Sequence, residues 1–428
     1  SHRVTHYTKT NKGNFTAHNM IIDIVKSNFK IIIFGFVFTF FSCIGQSFFI
    51  GLFNSNIREE LNITHGEFGT IYGIATLCSS IALIWAGKKI DDLKLVNYSI
   101  IVTIFLFIAA LFFSFVNSLI FLLVGIFFLR LSGQGLMAHT ASTAISRYFE
   151  KRRGKALSYI WFGMSLGEFL LPVLIVYLTT FIYWRDLWIL TSLFILLVLP
   201  LFSFFTVKKI SISSREEDNE NNKKKFTSIR SWKRKEVLKD LKFYTMLPAL
   251  LAPAFIITGI VINQSFIIES KGWGEYAIAK AFMYYSALTV ATLFLSGLLV
   301  DKFTSRRLLP YLNIPLLLSL IILIVFKNPY SAFVFMSLLG ISNGLTNVLL
   351  SSLWAEIYGV NYLGSIKALT GSLMVLSTAL ATVIFGILID LGYSIENIAV
   401  FCSIYTAISI AIVVIFKNTY KPVFQNRT

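Results

Sequence analysis

The sequence predicts an all-α integral membrane protein whose twelve transmembrane helices form two six-helix pseudo-repeats. Three observations point there. The chain is 56% hydrophobic and only 14% charged, with mean hydropathy +0.73, whereas soluble domains carry about 25% charged residues. Its apolar residues gather in repeated stretches of roughly 20, the length that crosses a hydrocarbon core of about 30 Å. Its basic residues are sorted to one side of those stretches.

The spans read at roughly 31–53, 68–87, 95–115, 119–146, 155–178, 186–206, 243–268, 276–300, 308–326, 330–354, 367–389 and 397–416. Only the polar turn "SFVNS" separates the third from the fourth. Pro310 and Pro315 punctuate the first turns of the ninth, where a missing N–H is tolerated. The expected organisation is an N-terminal segment (1–30), a first bundle (31–206), a linker (207–242), a second bundle (243–416) and a tail (417–428).

Twelve spans place both termini on one side. The termini and the loops after even-numbered spans hold 32 of the 38 Lys and Arg residues. The opposite loops hold Arg58, Arg185, Lys271, Lys280 and Lys327, and Arg130 alone falls inside a span. This asymmetry obeys the positive-inside rule with both termini cytoplasmic, in what reads as a bacterial inner membrane. The net charge of +17 would suggest nucleic acid in a soluble protein; sorted by side, it implies a lipid bilayer and no nucleic-acid partner. Residues 1–30 are polar and basic, with no apolar run or small-residue cleavage site, so no signal peptide is expected. Met20 is a candidate native start. Cys43, Cys78 and Cys402 all lie in apolar stretches and read as free, buried thiols. The linker carries "REEDNENNKKK" and "SWKRKEVLKD" and reads as a solvated connection with a short surface helix; contact with anionic lipid is the alternative.

The halves repeat. "GKKIDD" (87–92) follows the second span and "GLLVDKFTSRR" (297–307) the eighth, at an offset of 210 residues. Ala156-Leu157 matches Ala368-Leu369 at an offset of 212. Two similar six-helix halves are the signature of transporters that rock around a central site.

From about residue 30 to 416 the chain resembles the major facilitator superfamily. The family's loop motif, Gly-x-x-x-Asp-Arg/Lys followed by a basic pair, is matched by Gly297, Asp301, Lys302, Arg306 and Arg307. The first copy, at Gly87 and Asp91, is degraded: Asp92 stands where a base is expected, and only Lys94 supplies positive charge nearby. "RYFEKRRGKALS" and "YWRDLW" are similar to bacterial members near the organic-anion and monocarboxylate carriers. The resemblance implies alternating access, a small-molecule solute, no cofactor, no metal and a monomer. With Arg147 and its repeat counterpart Glu356, the motif residues form a candidate cytoplasmic gate; ordinary interfacial solvation is the alternative for each charge.

Arg130 lies 19 residues before residue 149, mid-loop between spans four and five, and Glu168 lies 19 after it. As hairpin partners they sit at equal depth, roughly 15–20 Å from the boundary, near the bilayer midplane. A lone Arg there costs about 2.5–3.5 kcal/mol even on the lenient scale, so both charges must face each other or a wet cavity. One reading is a static ion pair. The other is a site in which protonating Glu168 frees Arg130 for an anion, so that protons and anion move together. Arg130 maps near Leu339 and Glu168 near Leu380, so charge recognition belongs to the first half.

Gln46, Asn263, Gln264, Asn343 and Asn347 could orient a polar solute or bond helix to helix. Tyr72, Trp161, Tyr284 and Tyr285 read as cavity lining or packing, and His139 as a cap on a packed turn or a cavity residue. The rival transporter reading is a proton-driven multidrug or metabolite antiporter. Glu168 replaces the Pro expected after Gly167 there, and Gln134-Gly135 is one residue off the expected spacing. No zincin, nucleophile-elbow or phosphate-loop motif is present, which argues against an enzyme or nucleotide-driven pump. Lone His65 in "THGEF" makes no metal site. A non-transporting receptor is the remaining class.

Overall fold

The computed structural model describes residues 28–149, 153–212, 229–359 and 362–424. Twelve helices in it are long and apolar enough to cross a membrane: α1 (Asn28–Gly51), α2 (His65–Lys88), α3 (Leu95–Ser114), α4 (Leu119–Ile145), α5 (Ala156–Thr179), α6 (Trp184–Val207), α7 (Leu241–Ile262), α8 (Tyr276–Phe303), α9 (Ser305–Val325), α10 (Ser331–Tyr358), α11 (Leu369–Asp390) and α12 (Ile395–Thr419). Their starts follow local chemistry. Thr64 and Glu67 close a reciprocal capping box before α2, with N–H···O distances of 3.1 and 2.9 Å. Ser118 and Ser394 cap α4 and α12 through the N–H groups of Phe121 and Asn397.

Four spans depart from the continuous helices expected, among them the seventh, where Leu241–Ile262 ends at Asn263 and a separate helix runs over Gln264–Lys271. The first gives way to a 3-10 turn at Cys43–Gly45, reaches an extended Gln46 (φ −83°, ψ 154°) and resumes at Ser47–Gly51. The fourth contains a π-helical segment, Arg130–Met137, between α-helical Leu119–Leu129 and Ala138–Tyr148. The ninth begins earlier than its prolines suggest: a turn at Ser305–Leu308 leads through a 3-10 step at Leu309–Tyr311 into Ile314–Val325. Pro310 sits in that step because it needs no N–H acceptor there. Burial also differs from expectation at one thiol: Cys43 and Cys402 are buried, but Cys78 is exposed.

Both termini of the helical array lie on one membrane face by parity; this is the terminal face below. The halves meet mainly toward the opposite face. There α2 lies on α11 with almost no side chain between them. A Cβ on Gly66 would stand 2.2 Å from Asp390 Oδ2, on Gly69 2.1 Å from Thr382 O, and on Gly73 2.8 Å from Ala379 O. Small residues at this spacing let helix backbones approach in lipid, where no hydrophobic drive joins helices. The Gly66 N–H donates to Asp390 (2.8 Å), Asn54 Nδ2 to Ile262 O (2.5 Å) and Gln264 Nε2 to Phe48 O (3.1 Å), tying the halves together. Toward the terminal face the picture reverses. A Cβ on Gly297 of α8 or Gly371 of α11 would meet nothing within 4 Å.

Two polar clasps brace the opposite face within each half. Glu60 accepts from Tyr183 Oη (2.6 Å), Trp184 Nε1 (2.7 Å) and Arg185 Nε (2.8 Å), and Arg185 also donates to Ser114 O. Burial pushes the Glu60 carboxyl up, but these hydrogen bonds and the Arg185 charge outweigh it and hold it below its ordinary value. In the second half Lys271, its side chain fully buried, donates to Leu323 O and Phe326 O and pairs with Glu396 at 3.1 Å. On the terminal face the end of the linker is not simply solvated. Arg230 N–H donates to Val423 O, Trp232 N–H to Tyr358 O and Tyr358 Oη to Asp240, pinning it to the second half.

Candidate functional site

The break in α1 and the π segment of α4 are one structural unit. A Cβ on Gly45 would stand 2.3 Å from Leu129 O, and one on Gly133 2.7 Å from Gly45 N, so only glycines allow this contact. An extended Gln46 releases the Gly45 carbonyl from helical bonding, and Arg130 Nη1 donates to it at 3.0 Å. Arg130 is 6% exposed. Among the described residues this is the guanidinium's one hydrogen bond, and its buried Nε has none. The guanidinium lies 5.4 Å from the Tyr72 ring centroid. Tyr72 Oη is buried without a well-formed hydrogen bond, with Ser47 and Arg130 as polar neighbours. One turn along α2, Thr76 Oγ1 is likewise buried and unpartnered.

Glu168 does not pair with Arg130: no ion pair joins them among the described residues. Cys43 and Tyr285 both lie within its electrostatic reach. Gly167 packs on Cys43, and the Cys43 thiol donates to Met164 O. Three residues before Glu168, Ser165 O accepts from Ser286 Oγ of α8, so this face of α5 meets the second half. Equal depth held no information about azimuth. Each residue turns a helix by about 100°, and that angle decides which neighbour a charge meets.

The other candidates divide. Tyr285 is buried beside Glu168, with Asn343 a polar neighbour of its hydroxyl. Tyr284 is 51% exposed and packs edge-on against Phe333. Asn343 is half-buried, Asn347 exposed and Gln46 half-buried at the break. Asn263 bonds Gly259 O of its own helix, and Gln264 is the inter-half bond already described. Trp161 is exposed.

At the gate positions Glu356 caps the start of α9, accepting from Ser305 N–H (2.9 Å) and Arg306 N–H (3.1 Å). A carboxylate there complements the positive helix end. In the first copy, His139 Nε2 contacts Gly87 O at 2.9 Å, and its ring fills the space beside that glycine. Asp301, Lys302 and Arg307 are exposed; Arg147 and Arg306 are half-buried. The Asp91 side chain lies outside the described residues.

Sequence reasoning missed Gly45, whose carbonyl is the partner of Arg130, and the row Gly66, Gly69 and Gly73. The signals were present. "SCIGQS" interrupts an apolar run with small and amide residues, and "HGEFGTIYG" spaces its glycines at three and four.

The family model described as Major Facilitator Superfamily matches residues 35–382. No curated protein matches the sequence. Among solved structures, a bacterial homolog to the human lysosomal transporter Spinster, in an inward-facing and unoccupied conformation, is similar. It aligns at TM-score 0.64 and 15% identity, covering 92% of this chain and 96% of that one. The same homolog in an inward-facing and occupied conformation gives TM-score 0.62 at 15% identity, over 92% and 95% of the two chains. At such identity the likeness is one of fold.

Proposed function

Because the chain belongs to the major facilitator superfamily, and so is a transporter working by alternating access, we propose that its cargo is a small organic anion, such as a carboxylate, bound at Arg130. The observation that carries this reading is a buried guanidinium whose one protein hydrogen bond goes to a neutral carbonyl. A buried cation without a counter-charge is costly, and an anionic ligand supplies the missing charge. In this proposal Tyr72 from the first half, beside the guanidinium, and Tyr285 and Asn343 from the second are the orienting groups. Gln46, at the break, is the amide best placed to follow the Gly45 carbonyl when it moves.

Glu168 is the proton-coupling group in this proposal, acting at the contact between halves through Tyr285 rather than as a clasp on Arg130. A neutral carboxyl there favours close approach of α5 and α8; ionisation, which demands water, favours their separation. The loop residues Asp301, Lys302, Arg306, Arg307 and Glu356, with Gly87, Asp91 and Arg147, form the gate on the terminal face. The basic-residue asymmetry supports assigning that face to the cytoplasm of a bacterial inner membrane.

The test is a thermal-shift screen of carboxylates on the purified protein at two pH values, repeated on Arg130→Gln. Ligand stabilisation that survives that change removes Arg130 from the site. For coupling, Glu168→Gln in proteoliposomes is expected to abolish the pH dependence of uptake; unchanged pH dependence and accumulation would exclude Glu168.

A further inference from the structure

The end of the linker (229–242) and the tail (417–424) form one basic platform on the terminal face of the second half. Its frame is main-chain bonding. Ile229 and Phe424 make an antiparallel bridge, Arg230 N–H donates to Val423 O at 2.7 Å, and Trp232 N–H donates to Tyr358 O at 2.9 Å. The Trp232 ring packs edge-on against Tyr358 at the end of α10. These two stretches hold eight bases and two acids. Both acids are engaged internally. Glu236 accepts from Arg230 Nη2 (2.8 Å) and from Lys233 N–H (2.7 Å), while Asp240 accepts from Tyr358 Oη and pairs with Lys242 at 3.5 Å. Lys233, Arg234, Lys235, Lys239, Lys417 and Lys421 are exposed and have no acidic partner among the described residues. Apolar side chains stand open beside them: Leu238 is exposed, and Leu241 is 70% exposed. Leu241 is also the first residue of the span α7, so the platform lies where the headgroups of a bilayer meet its acyl chains.

We infer that this platform binds anionic phospholipid, its unpaired bases facing the headgroup phosphates and Leu238 and Leu241 meeting the acyl chains. The inference is independent of the cargo. Each Lys or Arg close to an anionic leaflet strengthens attachment about fivefold, and the platform presents several at once. Sorting of charge by side accounts for bases on this face. It does not account for a linker pinned to one half, or for exposed leucines among the bases. Basic and apolar side chains together mark a segment that lies in the interface itself. A solvated anion would use the bases and leave the leucines in water, whereas a lipid satisfies both. Because the hydrogen bonds of the linker run to α10 and the tail, the lipid contact belongs to the second half alone.

The experiment uses the full chain in neutral detergent. Dioleoyl phosphatidylglycerol, dioleoyl phosphatidylcholine and glycerol phosphate are titrated in turn. Apparent affinity is read from lipid occupancy by native mass spectrometry and from the melting temperature. Wild type should bind phosphatidylglycerol about tenfold or more tighter than phosphatidylcholine, a preference that shrinks in high salt. Arg234→Gln with Lys235→Gln should weaken phosphatidylglycerol about tenfold or more, as should Lys417→Gln with Lys421→Gln. The matched control is Lys208→Gln with Lys209→Gln, which removes two exposed bases from the terminal end of α6 in the first half and should cost about threefold or less. Equal losses in the linker and control pairs would mean a general attraction to the basic face and overturn the platform. Leu238→Ser with Leu241→Ser should weaken phosphatidylglycerol about threefold or more and leave glycerol phosphate unchanged. Glycerol phosphate binding as tightly as phosphatidylglycerol, or no effect of the serines, overturns the lipid assignment. Should the linker pair lower the unliganded melting temperature, the tail pair decides: unchanged affinity in that variant refutes the inference.

Discussion

The contact between α2 and α11 makes a quantitative claim about conformational balance. In Gly69→Ala the new methyl carbon would stand 2.1 Å from Thr382 O and 3.0 Å from its carbonyl carbon. Non-bonded carbon and oxygen atoms prefer roughly 3.5 Å, so the two backbones must part by about 1 Å. Both atoms belong to helical backbone and neither side can yield by a rotamer change. Overpacking of this kind costs about 1–3 kcal/mol. That cost falls on the conformer in which the opposite face is closed and vanishes in one where α2 and α11 separate. The ratio of the two should therefore move about 5–150-fold toward opening. Gly297→Ala is the control, because its methyl would meet nothing within 4 Å. The gain in helix propensity, up to about 1 kcal/mol for Gly to Ala, is common to both and cancels. Spin labels at Glu59 and Leu391, in a background lacking Cys43, Cys78 and Cys402, report the distance across this face. Gly69→Ala should broaden or lengthen the distribution while Gly297→Ala leaves it at wild type. Indistinguishable distributions in the two variants would refute the packing argument.

The two clasps give further expectations. Lys271→Met deprives Leu323 O and Phe326 O of their donor and leaves Glu396 unpaired; a loss of about 1–3 kcal/mol should appear as a lowered melting temperature in detergent. Glu396→Gln leaves the fully buried ammonium without its counter-charge and should lower the melting temperature as well, an unaltered one showing that the carbonyls alone hold Lys271. The Glu60 carboxyl is held below its ordinary 4.5 in the folded chain, so its clasp contributes stability above that value and loses it as pH falls through the lowered one. Thermal stability of wild type should fall on acidification from about pH 5 to pH 3 more steeply than that of Glu60→Gln, and parallel slopes would contradict the assignment.

The spans and their number were legible because local composition and length determine them, and lipid permits few other solutions. The family resemblance was legible because Gly297, Asp301, Lys302 and the basic pair Arg306 and Arg307 occupy a short, fixed register. What could not be read was azimuth and backbone irregularity. Arg130 and Glu168 were matched in depth, yet one donates to Gly45 O and the other lies within electrostatic reach of Tyr285, a difference set by rotation about two helix axes. The break at Gln46 and the π segment from Arg130 to Met137 depend on one another across α1 and α4. Neither stretch alone contains its partner's contribution. Gln264 and Asn263 show the same limit: identical in character and adjacent in sequence, one ties the halves together while the other bonds its own helix.

The arginine and the broken helix resolve each other's difficulty. In hydrocarbon, a carbonyl released from helical bonding costs several kcal/mol, and an arginine at mid-depth costs about 2.5–3.5 kcal/mol even on the lenient scale. Placed 3.0 Å apart, Gly45 O and Arg130 Nη1 offset part of both penalties. The residual charge is not neutralised by a carbonyl, which leaves the site receptive to an anion. This coupling also dictates how the site must be probed. Replacing Arg130 with an apolar residue orphans the Gly45 carbonyl, so lost transport in Arg130→Leu would report helix repair as readily as lost binding. Arg130→Lys keeps the carbonyl partnered and the charge in place, and changes only the geometry of the donors. A transport defect in the lysine variant, with unliganded stability intact, therefore isolates recognition from architecture.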